Sequence, residues 1–261
     1  MKNKIDIQSL EDKRKITIDK VGVKNVRYPI IVEDRANKIQ HTIADLNMFV
    51  ELPHNHRGTH MSRFIEVLNH FHQENLIGKL PDFLQEMKEA LNADASYITL
   101  SFPYFIKKKA PVSKTESLLS YRCFFEASLK KDFCLSIGVE VPITTLCPCS
   151  KEISDYGAHS QRSNVLVKLI FNEFIWLEEI IELVESSASC EIYPLLKRVD
   201  EKFVTEKAYD NPTFVEDVVR EITLKLQKDK RIDWFLVESE NQESIHNHNA
   251  YAKVERNIKI K

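Results

Sequence analysis

The order of predicted strands and helices constrains the fold of this chain most, because the same pattern occurs twice. Each half is expected to contain two strands, two helices and two more strands, from apolar alternation in strands and apolar residues three and four apart in helices. The predicted strands of the first half are 26–34, 39–52, 95–106 and 118–129, and the helices are 64–78 and 81–93. The predicted strands of the second half are 133–145, 164–174, 232–240 and 250–260, and the helices are 176–187 and 214–227. Antiparallel sheets with helices on one face give an α+β fold.

A short motif recurs at equivalent places in the two halves and supports a duplication. Residues 58–63 read Gly-Thr-His-Met-Ser-Arg and residues 157–162 read Gly-Ala-His-Ser-Gln-Arg, so both contain G-x-H-x-x-R after a predicted strand. The chain has only five glycines, and two of them are used here. We therefore predict a flexible charged arm at 1–20, a first module at 21–130 and a second module at 131–261. Chance agreement at three positions is the alternative.

Charge and hydropathy argue against several classes of protein. The chain carries 37 Lys and Arg against 39 Asp and Glu, and its formal net charge of −2 does not provide the basic surface that non-specific nucleic-acid binding needs. No stretch approaches the roughly 18 apolar residues of a membrane-spanning helix, and residues 1–15 contain no apolar signal region. We expect a cytoplasmic protein with no nucleic-acid or membrane partner. The basic run at 107–109 is predicted to be a solvated strand end.

The five cysteines fall into two groups, and in the cytoplasm all of them should be reduced. Three lie in apolar, strand-like stretches and are expected to be small buried hydrophobes: Cys123, Cys134 and Cys190. Cys147 and Cys149 lie in a polar stretch that also contains His159. These two cysteines are therefore the thiols to which a chemical role can be assigned.

Three interpretations of Cys147 and His159 are open from the residues alone. A thiolate and an imidazole are natural ligands of zinc and similar divalent ions. A closed structural zinc site usually has a C-x₂₋₄-C pair and four protein ligands, which C-x-C does not supply, so a metal here would keep a water position as catalytic metals do. A Cys–His nucleophilic pair is the second interpretation, and an ordinary loop with a spare thiol is the third.

Other polar stretches offer further candidates. A third metal ligand, or merely a solvated acidic face, is expected among Asp200, Glu201 and Glu206. His246 and His248 form an H-x-H pair that could ligate a metal, carry protons or lie on the surface. A basic loop suited to an anion contains His54, His56, Arg57, His60 and Arg63. Thr213-x-x-Glu216 has the spacing of a helix capping box, which would explain the glutamate without any function.

The stretch LCPCSKEISDYGAHSQRS at 146–163 resembles the signature of the GTP cyclohydrolase IB family, the prokaryotic enzymes that open folate synthesis. The likeness continues in order through GVKNVRYPI, LPHNHRGTHMSRF, DEKFVTEKAYDNPTFVEDVVR and ESIHNHNAYA, over nearly the whole chain after the arm. It implies the tunnelling fold (T-fold), with two tandem modules that each have an antiparallel sheet and two helices on one face. It also implies a homotetramer with active sites at subunit interfaces.

The reaction implied by this resemblance converts GTP and water to 7,8-dihydroneopterin triphosphate and formate. Water must attack C8 of the purine before its imidazole ring opens, and a divalent metal lowers the pKa of bound water. The resemblance assigns Cys147, His159 and Glu201 as metal ligands, with Cys147 also counted as catalytic. Zinc, manganese and iron(II) all suit this ligand set. Cys149 is assigned as a thiol that faces the substrate and is needed for turnover.

The remaining assignments concern protons and substrate. His246 and His248 resemble the family's active-site histidines and are expected to transfer protons. Glu216 resembles the purine anchor, since one carboxylate can accept from both N1–H and the amine of guanine. Four cations are expected at the triphosphate by polarity and loop position: His60, Arg63, Lys151 and Arg162.

Two other functions are alternatives to the cyclohydrolase. A nitrile reductase of the same fold would form a thioimide on its cysteine and would need NADPH but no catalytic metal. A non-catalytic, zinc-stabilised binding module would unfold when stripped of metal, because structural zinc contributes folding free energy.

Overall fold

The computed structural model describes residue 8, residues 11–71 and residues 75–258, and the chain divides into two compact units. The first unit contains the described residues up to Phe102 together with Phe124–Ser136. The second contains Pro103–Cys123 and the described residues from Ile137 onward. The module boundary between residues 130 and 131 is a different division of the chain and stays a prediction.

The first unit is an antiparallel sheet with two helices. It contains β1 (Ile18–Asp34), β2 (Lys38–Leu52), α1 (Met61–His70), a 3-10 turn (Ile77–Lys79), α2 (Leu80–Leu91) and parts of β3 (Ser96–Lys109), β4 (Glu116–Leu129) and β5 (Phe133–Leu146). Its strand order is β1-β2-β3-β4-β5, and β2 is antiparallel to both β1 and β3. Alternate residues of β2 are buried from Ala44 to Leu52, which is the period of a strand with one face on the core.

Asp34 shapes the turn between β1 and β2. Its buried carboxylate accepts hydrogen bonds from the backbone nitrogens of Ala36 at 2.8 Å and Asn37 at 2.6 Å. The side chain of Gln40 donates to the other carboxylate oxygen at 3.2 Å. Burial acts to raise the pKa of Asp34, but these hydrogen bonds lower it overall. β1 begins at Ile18, so it includes the last three residues of the predicted arm; residues 1–7, 9 and 10 lie outside the described ranges.

The second unit repeats this plan and adds short elements. After parts of β3, β4 and β5 it contains α3 (Pro148–Ile153), β6 (Ser160–Phe171), α4 (Leu177–Glu185), β7 (Cys190–Glu191), α5 (Arg198–Asp210), α6 (Val215–Lys228), β8 (Ile232–Asn241) and β9 (Ala250–Asn257). Its strand order is β3-β4-β5-β6-β8-β9, and β7 pairs with β5. Helix α6 contacts β8 and β9, and its buried apolar face consists of Val215, Val218, Val219, Ile222 and Leu226. Full burial of one such side chain stabilises the fold by about 1.5–3 kcal/mol.

A charged pair in the second unit corrects one prediction. Lys108 Nζ lies 2.6 Å from Glu185 Oε2, and the two side chains are only 14% and 12% exposed. Tyr121 donates its hydroxyl to the other oxygen of Glu185 at 2.7 Å, and burial together with that carboxylate raises the pKa of Tyr121 far above its usual value. The prediction of a solvated strand end at 107–109 is therefore wrong for Lys108, because every second residue of a strand faces inward.

A second charged cluster joins β7 to α5. Glu191 accepts hydrogen bonds from Lys207 and from the Tyr193 hydroxyl. Burial acts to raise the pKa of Glu191, but these two donors lower it to about 2. Burial raises the pKa of the neighbouring Cys190 thiol to about 11. An ion pair at Lys207 thus helps to hold α5 in place, whereas α6 is held by apolar contacts.

Most predicted elements are present, and the fold class is α+β as expected. The predicted helix at 64–78 is replaced by α1 and the 3-10 turn, with residues 72–74 outside the described ranges. Helices α3 and α5 and strand β7 have no counterpart in the predictions. Only Asp200 and Ala208 are buried in the 13 residues of α5, so this helix carries no apolar period for sequence reasoning to detect.

Two further predictions concern the burial of the cysteines and the absence of a membrane-spanning helix. Cys123 and Cys190 are buried as expected, but Cys134 is exposed, so its prediction is wrong. Cys134 is the second residue of β5, and the first two residues of this strand are both exposed. Within the described ranges, no helix has the length and apolar character needed to cross a lipid bilayer.

Candidate active site

Cys147 lies at the junction of β5 and α3, where it caps the helix. Pro148 takes the first helical position, which needs no backbone donor. The backbone nitrogen of Ser150 donates to Cys147 Sγ at 3.4 Å, and the Ser150 hydroxyl donates to the Cys147 carbonyl at 3.1 Å. Cys149 lies inside the helix with its side chain exposed. The polar stretch that holds the two cysteines is thus a short helix, with Cys147 at its N-cap and Cys149 within it.

His159 is held next to Cys147 by the backbone. The Cys147 nitrogen donates to the His159 carbonyl at 3.1 Å, and the His159 nitrogen donates to the Ser150 hydroxyl at 3.2 Å. Gly157 has a φ of +146°, which favours glycine and lets the chain return from α3 to β6. The structure thus brings together Cys147 and His159, the two residues that the sequence predicts to act together.

A buried polar chain that sequence reasoning missed lies behind His159. Nδ1 of His159 lies 3.0 Å from Oε1 of Gln161, and Gln161 Nε2 donates to Thr145 Oγ1 at 3.0 Å. Thr145 Oγ1 in turn lies 2.9 Å from the Ser163 hydroxyl. All three partners are buried. The signal for them was the two-residue spacing of His159, Gln161 and Ser163, which puts them on one face of a strand.

The loop between β8 and β9 brings the histidine pair to the same end of the sheet. The nitrogen of Gln242 donates to the Arg162 carbonyl at 2.9 Å, and the Ser244 hydroxyl lies 3.4 Å from His159 Nδ1. The rings of His246 and His248 stack with centroids 5.1 Å apart, and both residues are exposed. The histidine pair is therefore carried on a loop whose Ser244 approaches His159.

The three acidic candidates on α5 have different environments. Asp200 is fully buried and accepts from the backbone nitrogens of Val112 and Ser113, each at 2.8 Å. Burial acts to raise the pKa of Asp200, but these and other hydrogen bonds hold it far below its usual value, so Asp200 has a structural role. Glu206 pairs with Lys202 at 3.7 Å along the helix.

Glu201, the third acidic candidate, lies exposed in the first turn of α5. In the part of the chain that the structure describes, no three His, Cys, Asp or Glu side chains are grouped so as to hold a metal ion. The structure therefore joins Cys147 to His159 but does not bring Glu201 to them.

Glu216 is not the capping residue that the sequence predicts. The N-cap of α6 is Phe214, whose nitrogen donates to Asp217 Oδ2 at 3.3 Å, and the Thr213 hydroxyl donates to the Asn211 carbonyl at 3.1 Å. The capping-box prediction is therefore wrong by one residue, and Asp217 takes that role. Glu216 itself is exposed in the first helical turn.

The start of α6 is also tied to the cysteine loop. The nitrogen of Thr213 donates to the carbonyl of Leu146 at 3.0 Å, and Leu146 immediately precedes Cys147. The segment that carries Glu216 is thus fixed by a hydrogen bond to the residue before the metal-ligand candidate.

The four cations predicted for the triphosphate belong to different units. His60 and Arg63 lie in the first unit, at the start of α1, where Arg63 Nη1 donates to the Ala90 carbonyl at 2.8 Å. Lys151 and Arg162 lie in the second unit, and Lys151 Nζ sits 4.3 Å from the centre of the Tyr209 ring. Arg63 and Lys151 therefore have internal partners that an anion would have to replace.

A cavity of about 560 Å³ opens between the segment 156–162, β7 and α5. Arg162, Glu191 and Tyr193 supply polar groups to its wall, and Leu146 and Val204 supply apolar surface. Small-molecule sites usually fall between roughly 300 and 1,000 Å³, so the cavity has the size to take a ligand.

Comparison with known proteins relates the chain to one family. The family described as type I GTP cyclohydrolase folE2 matches residues 5–252. A protein named GTP cyclohydrolase FolE2 from Geotalea uraniireducens is 54% identical over 256 residues, which are 98% of this chain and 94% of that protein. The protein of the same name from Magnetococcus marinus is 57% identical over 251 residues, 96% of this chain and 95% of that one.

Solved structures of similar shape come from another enzyme. Uricase from Arthrobacter globiformis aligns with a TM-score of 0.51 and 9% identity, over 93% of this chain and 94% of that chain. Urate oxidase from Bacillus subtilis aligns with a TM-score of 0.51 and 10% identity, over 91% and 98%. At such low identity the likeness concerns the fold alone, and with the antiparallel sheets and their helices it confirms the predicted tunnelling fold.

Proposed function

The chain belongs to the type I GTP cyclohydrolase folE2 family, and from that premise we propose how its residues carry out the reaction. It is a GTP cyclohydrolase of folate biosynthesis, which converts GTP and water to 7,8-dihydroneopterin triphosphate and formate. The observation that carries the assignment to a site is the backbone hydrogen bond between Cys147, at the N-cap of α3, and His159, immediately before β6. The finer assignment to type IB rests on the resemblance at 146–163.

The proposal includes one divalent metal per active site, either zinc, manganese or iron(II). A thiol and an imidazole next to each other are a donor pair that suits such ions. We propose that Cys147 and His159 hold the metal and that Glu201 supplies the third donor. When bound, the metal would lower the pKa of the water that attacks C8 of GTP.

Cys149 and the histidine pair act on the substrate itself in this proposal. Cys149 is exposed one residue beyond Pro148, and we assign its thiol to contact the reacting purine. His246 and His248 are exposed and stacked, and the loop that carries them is bonded to Arg162 through Gln242. An imidazole can give and take protons near neutral pH, so these two are assigned to proton transfer during formate release and ring closure.

Glu216 selects guanine in this proposal. Its carboxylate is exposed and Asp217 takes the cap, so both oxygens of Glu216 can accept from N1–H and the exocyclic amine of guanine. Adenine lacks that pair of donors. For the triphosphate we retain four cations: His60, Arg63, Lys151 and Arg162.

The proposal extends to assembly and location. We propose a homotetramer with active sites at subunit interfaces, and the exposure of Cys149, Glu201, Glu216 and His246 on one chain is compatible with a second chain completing the site. We also propose a cytoplasmic location, where the five free cysteines would stay reduced. Sedimentation at several concentrations would test the tetramer.

A turnover assay on chelator-treated protein tests the reaction and its metal together. Released formate and pterin fluorescence after oxidation are followed, with and without added Mn²⁺ or Zn²⁺. Cys147→Ala is the test variant, and Cys134→Ala, which removes another accessible thiol, is its control. We expect metal to restore both products in the unmodified protein and in C134A but not in C147A.

Other outcomes would favour the alternatives. If folded protein forms neither product with any divalent metal, the cyclohydrolase reaction is refuted, and NADPH-dependent nitrile reduction is then assayed. If chelation unfolds the chain, the metal is structural and the binding module gains support.

A further inference from the structure

We propose that Gln161 is a positioning residue that holds the His159 ring in the tautomer with hydrogen on Nδ1, so that Nε2 keeps its lone pair for the metal. The inference rests on the proposed function, because it assumes that the metal binds Nε2, the ring nitrogen that does not face Gln161. Gln161 is not among the residues that the sequence singles out for chemistry.

The contacts place Gln161 between His159 and the core. Its Oε1 lies 3.0 Å from His159 Nδ1, and the side chain belongs to a residue that is only 8% exposed. Its Nε2 donates to Thr145 Oγ1 at 3.0 Å, and Thr145 is completely buried. Among the described residues, His159 Nε2 has no hydrogen-bond partner. The ring therefore has one nitrogen committed to the protein interior and one left for a ligand.

The chemistry of the amide decides the tautomer. A carboxamide oxygen can only accept a hydrogen bond, so an imidazole nitrogen that bonds to it must carry the hydrogen. A neutral imidazole has one such hydrogen, and the other nitrogen then has a free lone pair. Rotation of the amide by a half-turn would reverse this, because its NH₂ would donate to Nδ1 and the hydrogen would move to Nε2. In the structure the amide oxygen faces Nδ1 and the NH₂ group faces Thr145.

Because the backbone of His159 is fixed, the contact with Gln161 determines how the imidazole ring is oriented. The carbonyl and nitrogen of His159 are bonded to Cys147 and Ser150, so the main chain is fixed and the ring can turn only about its side-chain torsions. The Ser244 hydroxyl also approaches Nδ1, but at 3.4 Å and from an exposed residue. Metal-ligating histidines commonly donate their second ring nitrogen to an oxygen acceptor, and loss of that acceptor weakens metal binding by roughly 10- to 100-fold.

The test compares variants that alter the acceptor in different ways. Gln161→Met removes acceptor and donor at similar length, and Gln161→Glu keeps an acceptor but cannot donate. Gln40→Met is the matched control, since its amide donates to Asp34 in the first unit. The ¹⁵N shifts of His159 are measured in metal-free protein at about pH 8, above the usual imidazole pKa. The affinity for Zn²⁺ is measured by competition with a chromogenic chelator.

We expect the unmodified protein, Q161E and Q40M to show hydrogen on Nδ1 and to bind zinc within a few-fold of one another. Q161M should show a mixture of tautomers and should lose roughly 10- to 100-fold in zinc affinity. Folding of each variant is followed by urea unfolding. A purely structural role would lower stability in Q161M and Q161E alike without changing the tautomer.

Two results would overturn the inference: Q161M that keeps the unmodified ¹⁵N pattern and zinc affinity, or unmodified protein with hydrogen on Nε2. If Q161M does not fold, the tautomer of the unmodified protein decides the question by itself. Unmodified protein with the expected tautomer and zinc affinity but no GTP turnover would refute the proposed function and leave the role of Gln161 intact.

Discussion

Replacement of Lys108 by methionine should destabilise the second unit far more than the same change one residue earlier. Lys108 and Glu185 are 2.6 Å apart with side chains only 14% and 12% exposed, so loss of the lysine leaves a carboxylate without its charge partner away from water. Removal of one partner of a buried pair costs about 3–5 kcal/mol. The Tyr121 hydroxyl still donates to Glu185 at 2.7 Å, so we take the lower end, about 3 kcal/mol.

The assay is thermal and urea unfolding at one fixed protein concentration, because assembly would make the midpoint depend on concentration. A loss of about 3 kcal/mol corresponds to a fall in Tm of roughly 6–12 °C for a chain of this size. Lys107→Met is the control: Lys107 lies 3.5 Å from Glu116 with side chains 65% and 50% exposed, and such pairs contribute about 0–1 kcal/mol. The double variant K108M/E185Q should recover part of the loss, since it removes the uncompensated charge.

The reasoning is refuted if K108M and K107M unfold at the same temperature. It is also refuted if K108M/E185Q is less stable than K108M, because the cost would then come from lost packing and not from the unpaired charge.

Three further predictions concern the site and its frame. Glu216→Gln should lower kcat/KM for GTP by roughly 10- to 150-fold, because an amide keeps one acceptor oxygen and loses one of the two hydrogen bonds from guanine, each worth about 1.5–3 kcal/mol. Glu221→Gln on the same helix should have little effect, and equal loss in both would contradict the guanine assignment. Cys149→Ser should abolish pterin formation while Cys134→Ser retains it, and an active C149S would remove the thiol from the mechanism. The pKa of Asp200 is lowered in the folded state, so its carboxylate stabilises the fold above the unfolded pKa of about 4, and this stabilisation is lost as the pH falls. Asp200→Asn should therefore lower Tm at neutral pH, and the difference from the unmodified protein should shrink on acidification. A difference in Tm that is constant with pH would disprove the electrostatic account.

Periodicity predicted the elements whose stability comes from apolar burial. The buried stripe of α6 at three- and four-residue spacing and the alternation in β2 are visible in the sequence, and both elements are present. Helix α5 could not be found this way, because hydrogen bonds to Asp200 and an ion pair at Lys207 hold it and those partners are distant along the chain. The same limit hid the burial of Lys108, whose partner is 77 residues away.

The site likewise contains features that the sequence predicted and features that it did not. The proximity of Cys147 and His159 was predictable because both lie in one short, unusual stretch. The cap of α6 was misplaced by one residue because the main chain, and not the residue types alone, decides where a helix begins. Gln161 was overlooked because its two-residue spacing from His159 predicts a shared strand face but does not show which atoms its side chain contacts.

Helix α5 combines an exposed candidate metal donor, Glu201, with very little buried apolar surface. Regions with few buried apolar contacts open locally at a lower free energy than the core does. Amide hydrogens in the middle of α5 should therefore exchange with deuterium earlier than those in α6, which buries five apolar residues. Brief opening of α5 would free Glu201 from its place in the fold without unfolding the sheet, and a bound metal that restrained Glu201 would slow that exchange. Slower deuterium exchange in α5 after metal is added would thus indicate that Glu201 binds the metal.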